Sequence, residues 1–241
     1  MLSREYIKAV TPNVILDLFR IMRRANRNRF KGIRNRKSAN IYKSLILKRF
    51  PDLENATKDS YVLDLGANIG SFTQACVELG MKVKSVEPHP DAFKYLRNRT
   101  KNLPGVSLYQ LAVSNQTGKI KLFTHPQQKN DPITTSVSAS VVVDKFKNHS
   151  GHYEVSCATL EIFFREDTCY EIVKIDIEGA EMYLVEQLIE NAHKIKRLLV
   201  ETHERFMNES ETADEYQNQI QKLEKYIREN KLERVWLTDW I

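Results

Sequence analysis

YVLDLGANIG, Tyr61 to Gly70, reads as a buried strand running into a glycine-punctuated turn. SFTQACVELG follows at once, with Phe72, Ala75, Cys76 and Leu79 at helical spacing. Strand, tight turn and helix open a nucleotide-binding α/β unit, in which the turn's backbone faces the ligand. The glycine spacing narrows the choice of ligand. A dinucleotide fingerprint starting at Gly66 requires glycines at 68 and 71, where the chain has Asn68 and Ser71.

Two acids sharpen that choice. Asp64 stands near the strand's end, where a carboxylate opposes a phosphate but suits an ammonium or sulfonium charge. Glu87 closes a second strand, KVKSVEP, 21 residues after Gly66, where a carboxylate accepts both hydroxyls of a ribose. A ribose and a cation without a phosphate point to S-adenosylmethionine.

The 241 residues, 41% of them apolar, can bury one sizeable α/β domain and leave an extension. The division expected is a basic helical N-terminal extension over residues 1–58 and a cofactor-binding domain over 59–241. Apolar runs fall short of the roughly 20 residues that span a bilayer, and the first residues lack a signal peptide's apolar region. A cytoplasmic protein is the expectation. Cys76, Cys157 and Cys169 form no pair at metal spacing and leave one unmatched, which fits thiols in a reducing compartment.

Charge is unevenly spread. From Leu18 to Pro51 there are twelve Lys or Arg and no acid; the whole chain carries +6, so the remainder carries +6 minus +12, or −6. Ile7, Val10, Val14, Ile15, Leu18, Phe19 and Met22 share one helical face, interrupted early by Pro12. An amphipathic helix followed by a cationic segment suits two compatible placements. One is a lid packed across the domain; the other is peripheral contact of residues 1–50 with the inner face of an anionic membrane. Nucleic acid is a third partner for the same arginines, although aromatic residues are sparse among them and no recognition motif accompanies them.

Beyond the opening unit, strands and helices alternate, implying a parallel sheet with right-handed crossovers. In PHPDAFKYLRNRTKN, Asp91 is expected to cap a helix with Ala92, Tyr95 and Leu96 inward, and VSLYQLAVS reads as a third strand. Thr117 to Leu160 breaks the rhythm, with strands KIKLFTH and YEVSCATL around a polar loop, an insertion placed to recognise an acceptor. EIVKIDIEGAE, Glu171 to Glu181, then delivers Lys174, Asp176 and Glu178 at alternate positions of a buried strand. Charges there are costly unless paired or placed in a site. AEMYLVEQLIENA follows as a helix with Met182, Leu184, Val185 and Leu188 inward. RLLVETHE ends likewise in Glu201 and His203. Ligands of open α/β sheets bind beyond the strands' carboxyl ends, so Glu87, Asp176, Glu178, Glu201 and His203 converge on one crevice.

Taken in order, VLDLGANIGSFT, VEPHP, VKIDIEGAE and VETHE resemble the FkbM-type family of S-adenosylmethionine-dependent methyltransferases, over roughly Tyr61 to Glu204. The chain departs from the family pattern at Glu161, where an aspartate is expected. The resemblance implies an α/β, Rossmann-like class I methyltransferase fold. Its mostly parallel sheet has seven strands flanked by helices, the last strand antiparallel. The implied activity is methylation of a hydroxyl on a sugar of a surface glycan. ADEYQNQIQKLEKYIREN and ERVWLTDWI supply the last helix and strand.

By the same resemblance Asp64 meets the cofactor's amino group, Gly66, Ala67 and Gly70 give it close backbone approach, and Asn68 meets its carboxylate. Glu87 takes the ribose, and Gln110 and Ala112 border the adenine. A sugar hydroxyl must lose a proton as it is methylated, and His203 suits a general base by its ordinary pKa. Asp176 and Glu178 are alternatives as bases, as acceptors that orient hydroxyls or, with Glu201, as ligands of a divalent cation. Lys174 is expected to pair with Asp176 and Glu178, and Glu181 to complement a helix N-terminus. An RNA methyltransferase using the basic arm and a binding module without catalysis are the competing functions.

Overall fold

The structure, a computed structural model, describes residues 36–124, 139–142, 151–165, 168–203, 212–230 and 235–239. Val62, Leu63 and Leu65 are consecutive or alternate apolar residues that only a strand covered on both faces can bury, and all three are inaccessible to solvent. They lie in β1 (Tyr61–Leu65). It joins β2 (Lys82–Val86), β3 (Val106–Tyr109), β7 (Tyr170–Ile175), β8 (Leu198–Thr202) and β9 (Val235–Asp239) in a sheet of order β3-β2-β1-β7-β8-β9.

The α/β class expected from the alternating pattern is the observed one, but the sheet differs in two particulars. It has six strands among the described residues, and its last strand is parallel to its neighbour, Leu198 pairing with Val235 through to Thr202 with Asp239. The cause is the connection: α6 (Ala213–Glu229) carries the chain back between β8 and β9, and a helical crossover returns a strand in the same direction.

Alternation along the strands sorts the core into two layers. Val62, Val83 and Ile172 face α1 (Arg36–Arg49) and α2 (Ser71–Glu78), packing with Ala39, Ile46, Phe50, Leu53, Phe72, Ala75 and Cys76. Leu63, Leu65, Val173 and Ile175 face the other way, toward α4 (Glu161–Phe164), α5 (Val185–Glu190) and α6, meeting Phe163, Leu184, Val185, Leu188 and Leu223. Met182, Leu184, Val185 and Leu188 are buried as expected, although a 3-10 turn, Ala180–Leu184, precedes α5.

Residues 36–55 of the segment expected as an extension therefore pack into the same core as the sheet. Buried Arg197, paired with Glu171 and with Asp52 of that segment, lies 5.1 Å from the Phe50 ring and ties it to the start of β8. The helix expected over Ile7 to Met22, and with it most of the membrane-contact segment, lies outside the described residues. No described helix is long and apolar enough to cross a membrane.

Two local expectations change. α3 (Pro90–Thr100) is capped by His89, whose Nδ1 accepts from the amides of Asp91 (3.2 Å) and Ala92 (3.5 Å), because Pro90 begins the helix and Asp91 already lies inside it. VSLYQLAVS divides: β3 stays in the main sheet, while β4 (Ala112–Val113) joins β5 (Gly118–Phe123) and β6 (His152–Ala158) in a second sheet of order β4-β6-β5. There Ala112 packs with Leu122, Val155 and Cys157, a small core of the insertion's own. The strands expected in KIKLFTH and YEVSCATL pair antiparallel, Gly118 opposite Cys157 and Phe123 opposite His152.

Candidate active site

Strand order reverses between β1 and β7, and the loops leaving their carboxyl ends touch. The amides of Gly66 and Ala67 both donate to the Val86 carbonyl at 3.0 Å, folding the turn over the end of β2, and the Asp176 amide donates to Leu65 at 3.1 Å. Gly66 has φ +77°, and a Cβ there would lie 1.8 Å from the Asp176 carbonyl oxygen. Only glycine admits both that backbone and that approach. Gly70, at φ +81°, is crowded in the same way by Leu96. Asn68 and Glu178, one in each loop, also have positive φ, +50° and +62°. Non-glycine residues in that region are uncommon and gather at functional sites.

On the β2 side Glu87 is buried, its two oxygens accepting from the amides of Asn68 and His89, each at 2.8 Å. Burial raises its pKa to about 7, the two amide hydrogen bonds only partly opposing the rise. Asp64 is wholly inaccessible: its Oδ2 accepts from the Thr73 hydroxyl at 2.7 Å, and its Oδ1 lies 3.3 Å from Lys174 Nζ. Lys174 also reaches Asp176 Oδ2 at 3.4 Å, as expected, and donates to the Gly66 carbonyl at 3.1 Å, so that Asp64 stands where Glu178 was expected as its second acid. Burial works against its charge, but the carboxylates of Asp176 and Asp64 outweigh burial and raise its pKa. Asn68 is half-buried, its Oδ1 accepting from the next amide, Ile69, at 2.7 Å. Ala67 is buried in the turn, Gln110 is exposed beyond β3, and Ala112 is buried in the second sheet.

Across the crevice His203, 2% exposed, stands just beyond β8. Its Nδ1 lies 3.0 Å from Glu181 Oε1. Burial disfavours the Glu181 charge, yet His203 and the Gly179 amide hold the carboxyl below its usual range. The ionised Glu181 takes the Nδ1 proton as a hydrogen bond, which turns Nε2 toward Glu178 (3.3 Å), Glu201 (3.6 Å) and Asp176 (3.9 Å). Burial, then the charges of Asp176 and Glu178, push Glu201 well above its usual pKa. The Asp176 and Glu178 side chains are 27% and 20% exposed, so they are the solvent-facing members of a cluster whose imidazole lies beneath.

The residues expected to converge from β7 and β8 are therefore together, and Glu87 and the glycine turn lie across the reversal point from them. Sequence reasoning missed Glu181 as the group that orients His203, and Tyr216 of α6, whose hydroxyl accepts from the His203 amide (2.6 Å) and donates to Glu181 (3.3 Å). A signal was present for both. Glu181 lies three residues past Glu178, and Tyr216 begins a helical stripe continued by Ile220 and Leu223.

The chain thus sets a glycine turn and a buried acid on one side of the sheet's reversal point and a carboxylate–imidazole cluster on the other. Residues 64–231 match the family described as "Methyltransferase FkbM domain", and the chain belongs to that family of S-adenosylmethionine-dependent enzymes. Among curated relatives, "Hexuronic acid methyltransferase AglP" of Haloferax volcanii is 28% identical over 153 residues, 63% of this chain and 59% of that protein. "Methyltransferase 1" of Beauveria bassiana is 25% identical over 163 residues, 59% of this chain and 64% of that protein. The chain thus spans about three-fifths of the length of the curated relatives it matches. A solved structure of the plantazolicin methyltransferase BpumL in complex with SAH covers 91% of this chain and 79% of its own at 12% identity, with a TM-score of 0.34, a likeness too slight to bear on the site.

Proposed function

We propose that this methyltransferase transfers a methyl group to a hydroxyl of a sugar in a surface glycan or related glycoconjugate. The observation that carries the reading is the pair of part-exposed carboxylates, Asp176 and Glu178, backed by the oriented imidazole of His203 beside the glycine turn. The hexuronic acid specificity in the name of one relative supports a sugar acceptor.

The residues of β1 and β2 fit S-adenosylmethionine. Gly66 and Gly70, at positive φ and packed against Asp176 and Leu96, fix the turn in which backbone faces a ligand, and buried Glu87 offers two carboxylate oxygens suited to the paired hydroxyls of a ribose. When bound, the cofactor supplies a sulfonium-activated methyl group for in-line displacement. Asn68 and the turn hold its amino-acid end. Asp64 acts from below, through Lys174 and the Gly66 carbonyl, since its own carboxylate is enclosed. Gln110 stands beyond β3 on the adenine side, and Ala112 backs that edge from the second sheet.

On the acceptor side Asp176 and Glu178 accept hydrogen bonds from the sugar and align the reacting oxygen. As its bond to carbon forms, its proton passes to Glu178 and on to His203 Nε2, 3.3 Å away. The imidazolium so formed lies between Glu178 and the ionised Glu181. A second reading is favoured by one observation: single ligand atoms of Asp176, Glu178 and His203 lie within 4.8 Å of one another, a spacing that suits a divalent cation, with Glu201 beside them.

The test supplies S-adenosylmethionine with a panel of methyl hexosides, methyl hexuronosides and an RNA oligonucleotide, and weighs the products. Methylated glycoside is the expected result, and methylation of RNA alone would overturn the sugar reading. Repeating the assay after EDTA treatment, with and without added Mg2+ or Mn2+, decides the cation.

A further inference from the structure

Among the described residues of the insertion between β5 and β6, a short segment, residues 139–142, reaches the site. Its side chains alternate. Ala139 and Val141 pack on the second sheet's core of Ala112, Leu122, Val155 and Cys157, whereas Val142 packs with Met182, Tyr216 and Ile220 of the main domain. Ser140, 1% exposed, points the same way as Val142, and its hydroxyl donates to the Glu178 carbonyl at 2.7 Å while accepting from the Val142 amide at 3.1 Å. Its backbone is fixed by a reciprocal pair with Phe123, amide to carbonyl at 2.8 and 3.0 Å. The bond to the Glu178 carbonyl lies outside the small sheet's own pairing.

The residue so gripped is Glu178, held at φ +62° with its carboxylate 3.3 Å from His203 Nε2. A backbone in that sparsely populated region persists only where its surroundings fix it. The peptide oxygen that Ser140 binds is attached to the φ/ψ pair that aims the Glu178 side chain. The second anchor of the segment, Val142, presses on Tyr216, whose hydroxyl binds both the His203 amide and Glu181. The insertion thus holds both halves of the acid–imidazole pair.

We propose that Ser140 is a positioning residue for methyl transfer: its hydroxyl sets the strained conformation of Glu178 and so registers that carboxylate against His203 and the acceptor. This rests on the reading of Asp176, Glu178 and His203 as the acceptor side. The coupling also runs in reverse. An acceptor that engages the insertion would act on the same two groups through residues 139–142, which gives a segment remote from the cofactor control of rate.

The experiment compares Ser140→Ala, which removes the donor, with Ser140→Thr, which keeps it. Two readouts are used: methyl transfer to the glycoside panel, and the imidazole 15N signals of His203, assigned with His203→Gln. Ser140→Ala should lower kcat by about tenfold, the rate equivalent of one buried hydrogen bond, should shift the His203 signals, and should leave the dissociation constant for S-adenosyl-L-homocysteine within about twofold. Ser140→Thr should restore both readouts.

Wild-type turnover with an equally active Ser140→Ala variant would overturn the positioning role while leaving the sugar reading intact. If no glycoside is methylated even by the wild type, the sugar reading fails, and the His203 signals alone decide: unmoved signals in Ser140→Ala overturn the proposal and shifted, Thr-restored signals sustain it. A general loss of folding would show as weakened S-adenosyl-L-homocysteine binding in both variants, and this too would refute a role confined to Glu178.

Discussion

Glu87 offers the sharpest quantitative test of the cofactor side. Its carboxyl is buried, and its pKa rises from an ordinary 4.5 to about 7. An acid raised in the folded state contributes stability that is fully present below the unfolded value and lost as pH rises through the folded one, here between about 4.5 and 7, at a cost of about 3 kcal/mol. A ribose that donates both hydroxyls to the ionised carboxylate repays part of that cost, so the ligand selects the deprotonated form. At pH 6 about one molecule in eleven carries ionised Glu87 and at pH 8 about ten in eleven, so affinity should rise about tenfold, or about 1.4 kcal/mol. The assay is calorimetric titration with S-adenosyl-L-homocysteine at pH 6, 7 and 8, on the wild type and on Glu87→Gln. The variant should bind weakly and without this pH dependence. A wild-type dissociation constant that stays flat, or a slope that survives in Glu87→Gln, would refute the placement of the ribose on this group.

Other perturbations address the framework and the acceptor side. Gly66→Ala places a methyl 1.8 Å from the Asp176 carbonyl oxygen, and should abolish cofactor binding with a loss of more than about 3 kcal/mol in urea unfolding; a variant of wild-type stability would contradict the geometry. Lys174→Met strands Asp64 as an uncompensated charge in the core and should cost about 3 to 5 kcal/mol, read from the urea midpoint. His203→Ala should slow methyl transfer by about 10² to 10⁴ with S-adenosyl-L-homocysteine affinity unchanged, and full activity would remove His203 from the proton path and leave the acids alone as acceptors. Tyr216→Phe removes the hydroxyl shared by His203 and Glu181, and should lower kcat by about tenfold at unchanged cofactor affinity.

The legible parts of the chain were those where one local pattern has one physical outcome. VLDLG can bury its apolar run only as a central strand, and Gly66 stands where β1 and β7 come too close for a side chain, so the turn and its neighbours could be read directly. Alternate charges in VKIDIE on an otherwise apolar strand had to be paired or to sit at its open end, and the structure pairs Lys174 with Asp176 and leaves Asp176 and Glu178 part-exposed beside His203. What stayed hidden depends on contacts between distant segments. Whether Asp64 faces a ligand or Lys174 turns on the approach of a residue 110 positions away. The direction of β9 follows from the crossover of α6 rather than from any residue within it. Ser140 lies in the alternating run Ser136-Val137-Ser138-Ala139-Ser140-Val141, whose period of two does not say what the serines meet, and its role depends on a bond to Glu178, 38 positions away.

The central claim is that a methyl group passes from S-adenosylmethionine to a sugar oxygen at the Asp176, Glu178 and His203 cluster. Incubation of the protein with 13C-methyl-labelled S-adenosylmethionine and a mixed extract of glycans and RNA, followed by 13C NMR of the labelled product, tests it most directly. An O-methyl signal coupled to a sugar-ring proton, present with the wild type and lost with His203→Ala, is the predicted result; label on a nucleobase or on a nitrogen would contradict it.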